Sequence, residues 1–273
     1  MSIPIETVRT HDFEMRFFRF GSGSRAFVIL PGLSVQSVMG LGDLIAEAYQ
    51  VLTEDFTVYL FDRRKDLPAV YPIREMARDT AEAIRVLGLS KVSLFGASQG
   101  GMIALCLAAE HPELVSKLVL GSSSAHVDAA HFELFARWID LAKAGRSREL
   151  NQAFGEALYP EAVFEGAREL LLSQADSFTP ADLRRFVILA ESLRGFDIRE
   201  DLAKITCPVL VLGAEDDRVL GAEASRELFR HLPKRPDSAL YLYAPGFGHA
   251  AFDTAPDYKE RLLRFLRKET AAE

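Results

Sequence analysis

From residue 26 onward the chain switches repeatedly between short, continuous apolar runs and longer stretches whose apolar residues recur every three or four positions. Ala26 to Leu30, Phe56 to Asp62, Val92 to Phe95 and Lys117 to Leu120 predict strands, and the most uniformly apolar of them suit positions covered on both faces. Between them, Gly42 to Leu52 predicts a helix. Ile73, Met76, Ala77, Thr80, Ile84 and Leu87 align on one face of the next, which Gly88 stops. Met102 to Ala109 belongs to a third, ending at His111-Pro112. Strand and helix in alternation argue for an α/β fold with a parallel sheet flanked by helices. Ahead of this region, residues 7–20 alternate with a period of two around a Thr10-His11-Asp12 break, predicting an antiparallel hairpin.

The rhythm changes between Ala125 and Arg199, where no strand signal occurs. Phe132, Phe135, Trp138, Ile139 and Ala142 share one helical face, and Ala153, Phe154 and Leu158 suggest a second helix. Two more begin at Pro160 and Pro180, a residue tolerated in a first helical turn. We read residues 125–199 as an inserted helical cap, with residues 1–124 and 200–273 forming the core domain. Most of the cap aromatics are expected to pack between cap and core, and a minority to face a pocket. Alternation resumes with strands at Val209 to Leu212 and Ala239 to Tyr243. Helices are expected at Ala222 to Leu232 and Pro256 to Arg267, the last amphipathic.

Chemical specificity enters at Gly96-Ala97-Ser98-Gln99-Gly100, between a strand signal and a helix signal. Three fixed positions of common residue types recur by chance, so the weight lies in the placement. A chain reversing from strand to helix around one serine needs small neighbours, and the serine then projects at the carboxyl end of the sheet. The Gln99 amide, at the helix N-terminus, is free to donate to a developing oxyanion. The Pro31-Gly32 turn after the Ala26 strand makes the Leu33 amide the candidate second donor, although Pro-Gly is also an ordinary turn marker.

A serine hydroxyl becomes a nucleophile when a histidine takes its proton and a carboxylate orients that histidine. The loop after the Val209 strand carries Glu215-Asp216-Asp217, and the loop after the Ala239 strand carries Gly248-His249. Both follow strands at the edge where parallel sheets build their sites. The resulting chain order, Ser98, Asp217, His249, with the blocks around Pro31-Gly32-Leu33, Ser98, Asp217 and His249, resembles the α/β-hydrolase superfamily over residues 26–266. That resemblance implies a mostly parallel eight-stranded sheet with a cap after the sixth strand, and a nucleophile, acid and base at Ser98, Asp217 and His249. Two departures stand out. Many members carry His-Gly where this chain has Pro31-Gly32, and the acid is open among Glu215, Asp216 and Asp217; Asp217 is favoured because it precedes Arg218-Val219.

Composition narrows the setting. Apolar residues make up 49% and charged residues 26% of 273, as expected of an ordinary globular protein rather than a disordered one. A net charge of −7 gives no electrostatic grip on nucleic acid or an anionic membrane. The first residues lack a basic start followed by an apolar core, and the two cysteines, Cys106 and Cys207, fall on buried elements, so a cytoplasmic protein with free thiols is expected. His126 and His131 are five apart and do not align on a helix, and no metal or cofactor is expected. The Asp62-Arg63-Arg64-Lys65-Asp66 and Arg194 to Asp201 runs read as solvated charge. The expected activity is hydrolysis of a carboxylic ester of a small apolar substrate. Lactone, thioester or carbon-carbon hydrolysis, acyl transfer and perhydrolysis are alternatives on the same residues, and a slow-turnover ligand receptor is a reading of another class. Oligomeric state is not legible.

Overall fold

The computed structural model describes residues 2–268. Its strands are β1 (Glu6–Arg9), β2 (Glu14–Phe20), β3 (Arg25–Leu30), β4 (Phe56–Arg64), β5 (Val92–Ala97), β6 (Val115–Gly121), β7 (Val209–Ala214) and β8 (Ala239–Tyr243). They form one eight-stranded sheet in the order β1-β2-β4-β3-β5-β6-β7-β8. Only β2 runs against its neighbours, pairing antiparallel with β1 and with β4. The remaining pairs are parallel. This is the α/β-hydrolase architecture.

Strand residues alternate between two apolar layers. In β3, Val28 and Leu30 join a layer with α2 (Ile73–Val86) and α3 (Gln99–Glu110). Phe27 and Ile29 face the other side, against Tyr258 and Leu262 of α10 (Tyr258–Arg267). Both faces being covered explains why these strands read as continuous apolar runs. Helix α3 is buried on all sides from Gln99 to Ala109, whereas α2, nearer the surface, is amphipathic.

Three short elements differ from expectation. The helix expected over 42–52 is an α-helix, α1 (Gly42–Ala48), followed by a 3-10 turn at Gln50–Leu52. In a 3-10 turn residues three apart eclipse, which lets Tyr49 and Leu52 both turn inward, where they are buried. A separate short helix, α9 (Ala251–Thr254), follows the histidine loop, and α10 begins at Tyr258 rather than Pro256. A 3-10 segment at Arg199–Lys204 precedes β7.

Between β6 and β7 the chain forms four helices: α4 (Ala129–Lys143), α5 (Ser147–Leu158), α6 (Glu161–Ala175) and α7 (Pro180–Glu191). The ends of this segment are stitched together. Val127 donates to the Phe196 carbonyl and Ile198 to the Ala125 carbonyl, each at 2.8 Å. Trp138 packs edge-on against Phe135 and Phe154, and Phe154 against Phe186, which ties α4, α5 and α7 through one aromatic cluster. A capping box at Thr179 and Asp182 starts α7. The thiols of Cys106 and Cys207 are free and buried, and burial pushes each up to about 12. Among the described residues no helix is long and apolar enough to cross a membrane.

Candidate active site

Ser98 occupies the turn between β5 and α3 with φ 51° and ψ −120°, backbone angles that non-glycine residues rarely adopt. The flanking glycines are sterically required. A methyl group on Gly96 would lie 2.2 Å from the Gly100 carbonyl oxygen, and one on Gly100 would lie 2.1 Å from that of Leu30. The turn is held by the Ser98 amide donating to the Gly121 carbonyl at 2.8 Å. The Ser98 carbonyl in turn accepts from Gly101 at 2.9 Å and from Ser123 Oγ at 2.9 Å. Strain at the serine is thus over-determined by its surroundings.

Asp217 and His249, 32 residues apart, meet at the carboxyl ends of β7 and β8. His249 Nδ1 lies 2.9 Å from both carboxylate oxygens of Asp217, and both side chains are 2% exposed. Burial alone would raise the Asp217 pKa. The charge and hydrogen bond of His249, with the Val219 and Leu220 amides donating to the carboxylate at 2.8 and 3.1 Å, more than offset this and hold it below the usual carboxylate range. Asp216 does a different job: it accepts from the Gly246 and Gly248 amides at 2.8 and 3.0 Å and so shapes the histidine loop. Glu215 pairs with Arg226. The histidine loop also rests on the end of α5, since Ala250 donates to the Leu158 carbonyl at 3.0 Å. Gly248, at φ 64°, approaches the same carbonyl and Pro160 so closely that a side chain there would collide.

Ser98 Oγ has no hydrogen-bond partner among the described residues, but Ser98 and His249 line the same cavity, of about 290 Å³. Leu33 lines it too, and neither the Leu33 nor the Gln99 amide meets an acceptor among the described residues. Gly32 lets the loop press on the serine turn, its missing Cβ standing 3.3 Å from Ser98 Cβ. The helical segment contributes Phe135, Trp138, Phe154 and Leu158 to the cavity lining.

Several residues at the site were not expected. Asp62 and Arg63, read from sequence as solvated charge, are each only 6% exposed. They lie near the end of β4, whose neighbour β3 feeds the Pro31 loop, and nothing in the local sequence distinguishes them from the exposed charges that follow. Asp62 accepts from Arg185 of α7 at 2.6 Å and from Ser37 Oγ at 2.5 Å, so a distant helix supplies the counter-charge that permits burial. Arg63 Nη2 donates to the Pro31 carbonyl at 2.8 Å and to Gln99 Oε1 at 3.3 Å. Tyr49, Tyr159 and Asp253 also line the cavity, and burial raises the Asp253 carboxyl above its ordinary value against the opposing pull of Lys259. The other histidines lie elsewhere: His131 sits against Asp128 and His126 near Glu227. Among the described residues no cluster of three or more potential metal ligands occurs.

A strand-turn-helix serine and a histidine seated on an aspartate, on loops at one sheet edge, are what a hydrolase of this fold requires. A family model described as serine aminopeptidase, S33 matches residues 48–254. The chain belongs to that family of α/β hydrolases. This hydrolase is 30% identical over 243 residues to a protein of Caulobacter sp. (strain K31) named "Putative carbamate hydrolase RutD", covering 85% of this chain and 88% of the relative. Among solved structures, it superposes on MGS-M2, an alpha/beta hydrolase from a Medee basin deep-sea metagenome library, with a TM-score of 0.86, 20% identity and coverage of 98% and 99%. The enol-lactonase of Burkholderia xenovorans LB400 follows the same fold with a TM-score of 0.80, 17% identity and coverage of 96% and 100%.

Proposed function

We propose that this hydrolase cleaves carboxylic esters of small apolar substrates through an acyl-enzyme on Ser98. The observation that carries the reading is the buried His249–Asp217 pair, both oxygens 2.9 Å from Nδ1, opening on the cavity that Ser98 also lines. With Nδ1–H held by Asp217, Nε2 is the basic nitrogen. Substrate binding brings it within reach of the hydroxyl, contacts that are often long in unliganded enzymes. Ser98 Oγ forms a bond to the acyl carbon as its proton passes to Nε2, and that proton then leaves with the alcohol as the C–O bond breaks. Water attacks the acyl-enzyme by the same route in reverse, restoring the hydroxyl. The Leu33 and Gln99 amides hold the oxyanion, each contributing roughly 3 kcal/mol. Residues 125–199 act as a cap whose aromatic wall selects an apolar acyl group of limited size.

A carbamate is a second candidate, favoured by the name the Caulobacter relative carries, because its carbonyl is attacked in the same way. A panel of nitrophenyl acetate, butyrate and octanoate, a lactone and an aryl carbamate separates these. Sustained turnover of the short esters is expected, lowered by at least about 10⁴-fold in Ser98→Ala. Failure of every substrate, together with a fluorophosphonate that leaves Ser98 unmodified, ends the reading; a single acylation without turnover points to a receptor instead.

A further inference from the structure

We propose that Arg63 is the positioning residue for both oxyanion donors, because one of its terminal nitrogens ties the loop carrying the Leu33 amide to the side chain of Gln99, which carries the other. The inference rests on the acyl-enzyme reading above. Nη2 donates to the Pro31 carbonyl at 2.8 Å and to Gln99 Oε1 at 3.3 Å. The Pro31 carbonyl shares its peptide plane with the Gly32 amide, so anchoring it leaves only the two dihedrals of Gly32 between the anchor and the Leu33 amide. Gly32 is itself pressed against the serine turn, its Cβ position 3.3 Å from the Ala97 carbonyl oxygen and from Ser98 Cβ. Gln99 is gripped from the opposite side as well, its Nε2 donating to the Leu189 carbonyl at 2.7 Å and to Ser192 Oγ at 3.2 Å. Two segments that share no strand or helix are thus set against each other by a single planar group.

Arg63 is costly to keep there. It is 6% exposed, its Nε is buried without a partner among the described residues, and burial lowers its pKa to about 10. Its neighbour Asp62 is shared with Arg185 at 2.6 Å, so the guanidinium charge is only partly matched. An incompletely neutralised cation between two donors of a site where negative charge develops favours the transition state over the neutral ester, in addition to its geometric role.

The test compares wild type, Arg63→Met and Arg63→Lys on one nitrophenyl ester. It also measures binding of a trifluoromethyl ketone, which adds to Ser98 to form an oxyanion, and of the matching alcohol, which does not. For Arg63→Met, kcat should fall about 30- to 300-fold with KM within about twofold. The ketone should weaken by the same factor, and alcohol binding should not change. Arg63→Lys keeps the charge on a shorter side chain without the planar fork and should recover part of the loss. Equal weakening of ketone and alcohol, or a kcat within about threefold of wild type, overturns the proposal. If Arg63→Met does not fold, Arg63→Lys decides alone: a kcat loss under about threefold, or a matching rise in KM, overturns it. A wild type without turnover or fluorophosphonate labelling removes the acyl-enzyme reading and this inference with it, whereas an active wild type matched by Arg63→Met removes only this one.

Discussion

The serine turn and the pair of helices α5 and α6 are both built around glycine, and the contrast between them separates two ways of fixing a structure. At the turn, what a side chain on Gly96 or Gly100 would strike is backbone: carbonyl oxygens at 2.2 and 2.1 Å. In the helices, a side chain on Gly155 of α5 would come within 2.7 Å of the Phe164 ring of α6, and one on Gly166 of α6 would meet nothing within 4 Å. Backbone carbonyls of a buried helix and a central strand cannot yield, while an aromatic ring between two helices can shift. The turn is therefore set by steric exclusion, and the helices by apolar packing that admits adjustment.

Gly100→Ala tests the rigid end of that contrast and should show the largest effect. A methyl 2.1 Å from the Leu30 carbonyl requires β3 or α3 to move, at a cost above about 4 kcal/mol, seen as loss of soluble protein or a collapsed denaturation midpoint. A Gly100→Ala protein of normal stability would break the comparison. Gly155→Ala is intermediate. The Phe164 ring must rotate away, and overpacking of this kind costs about 1–3 kcal/mol, read from the urea midpoint, with Phe164→Leu restoring part of it in the double variant. At the other end, Gly166→Ala should stabilise by about 1 kcal/mol, because an exposed helical glycine is replaced by the best helix former with no clash. Calorimetry would register that gain as a rise of about 2 °C in Tm.

The same contrast explains what the amino-acid order made legible. Ser98, Asp217 and His249 could be singled out because each follows a short apolar strand, and the carboxyl edge of a parallel sheet gathers such loops whatever the rest of the chain does. The sheet itself followed from runs such as Ala26 to Leu30. Asp62 and Arg63 could not be separated from solvated charge, because Asp62 is buried against Arg185, which lies 123 residues away on α7, and Arg63 against the Pro31 carbonyl and the Gln99 side chain. Tyr49 faces the cavity only because α1 tightens into a 3-10 turn, and Asp253 only because a short helix follows the histidine loop. These are products of tertiary packing, and no local periodicity encodes them. The roles of the lining aromatics were equally hidden: Trp138 is both part of the aromatic cluster and a wall of the cavity, a double duty invisible in its helical spacing.

The seam between Leu158 and residues 248–250 bears on how such enzymes diversify. Because the two ends of the helical segment are zipped together at 125–127 and 196–198, the segment looks like a module that could be exchanged for a foreign one. The Leu158 carbonyl that receives the Ala250 amide, and the Pro160 ring against Gly248, add a third point of attachment in the middle of the module. A chimaera joined cleanly at its two ends but altered at 158–160 would keep its sheet and still unsettle the loop that carries His249, so recombination here must carry that contour along with the splice sites.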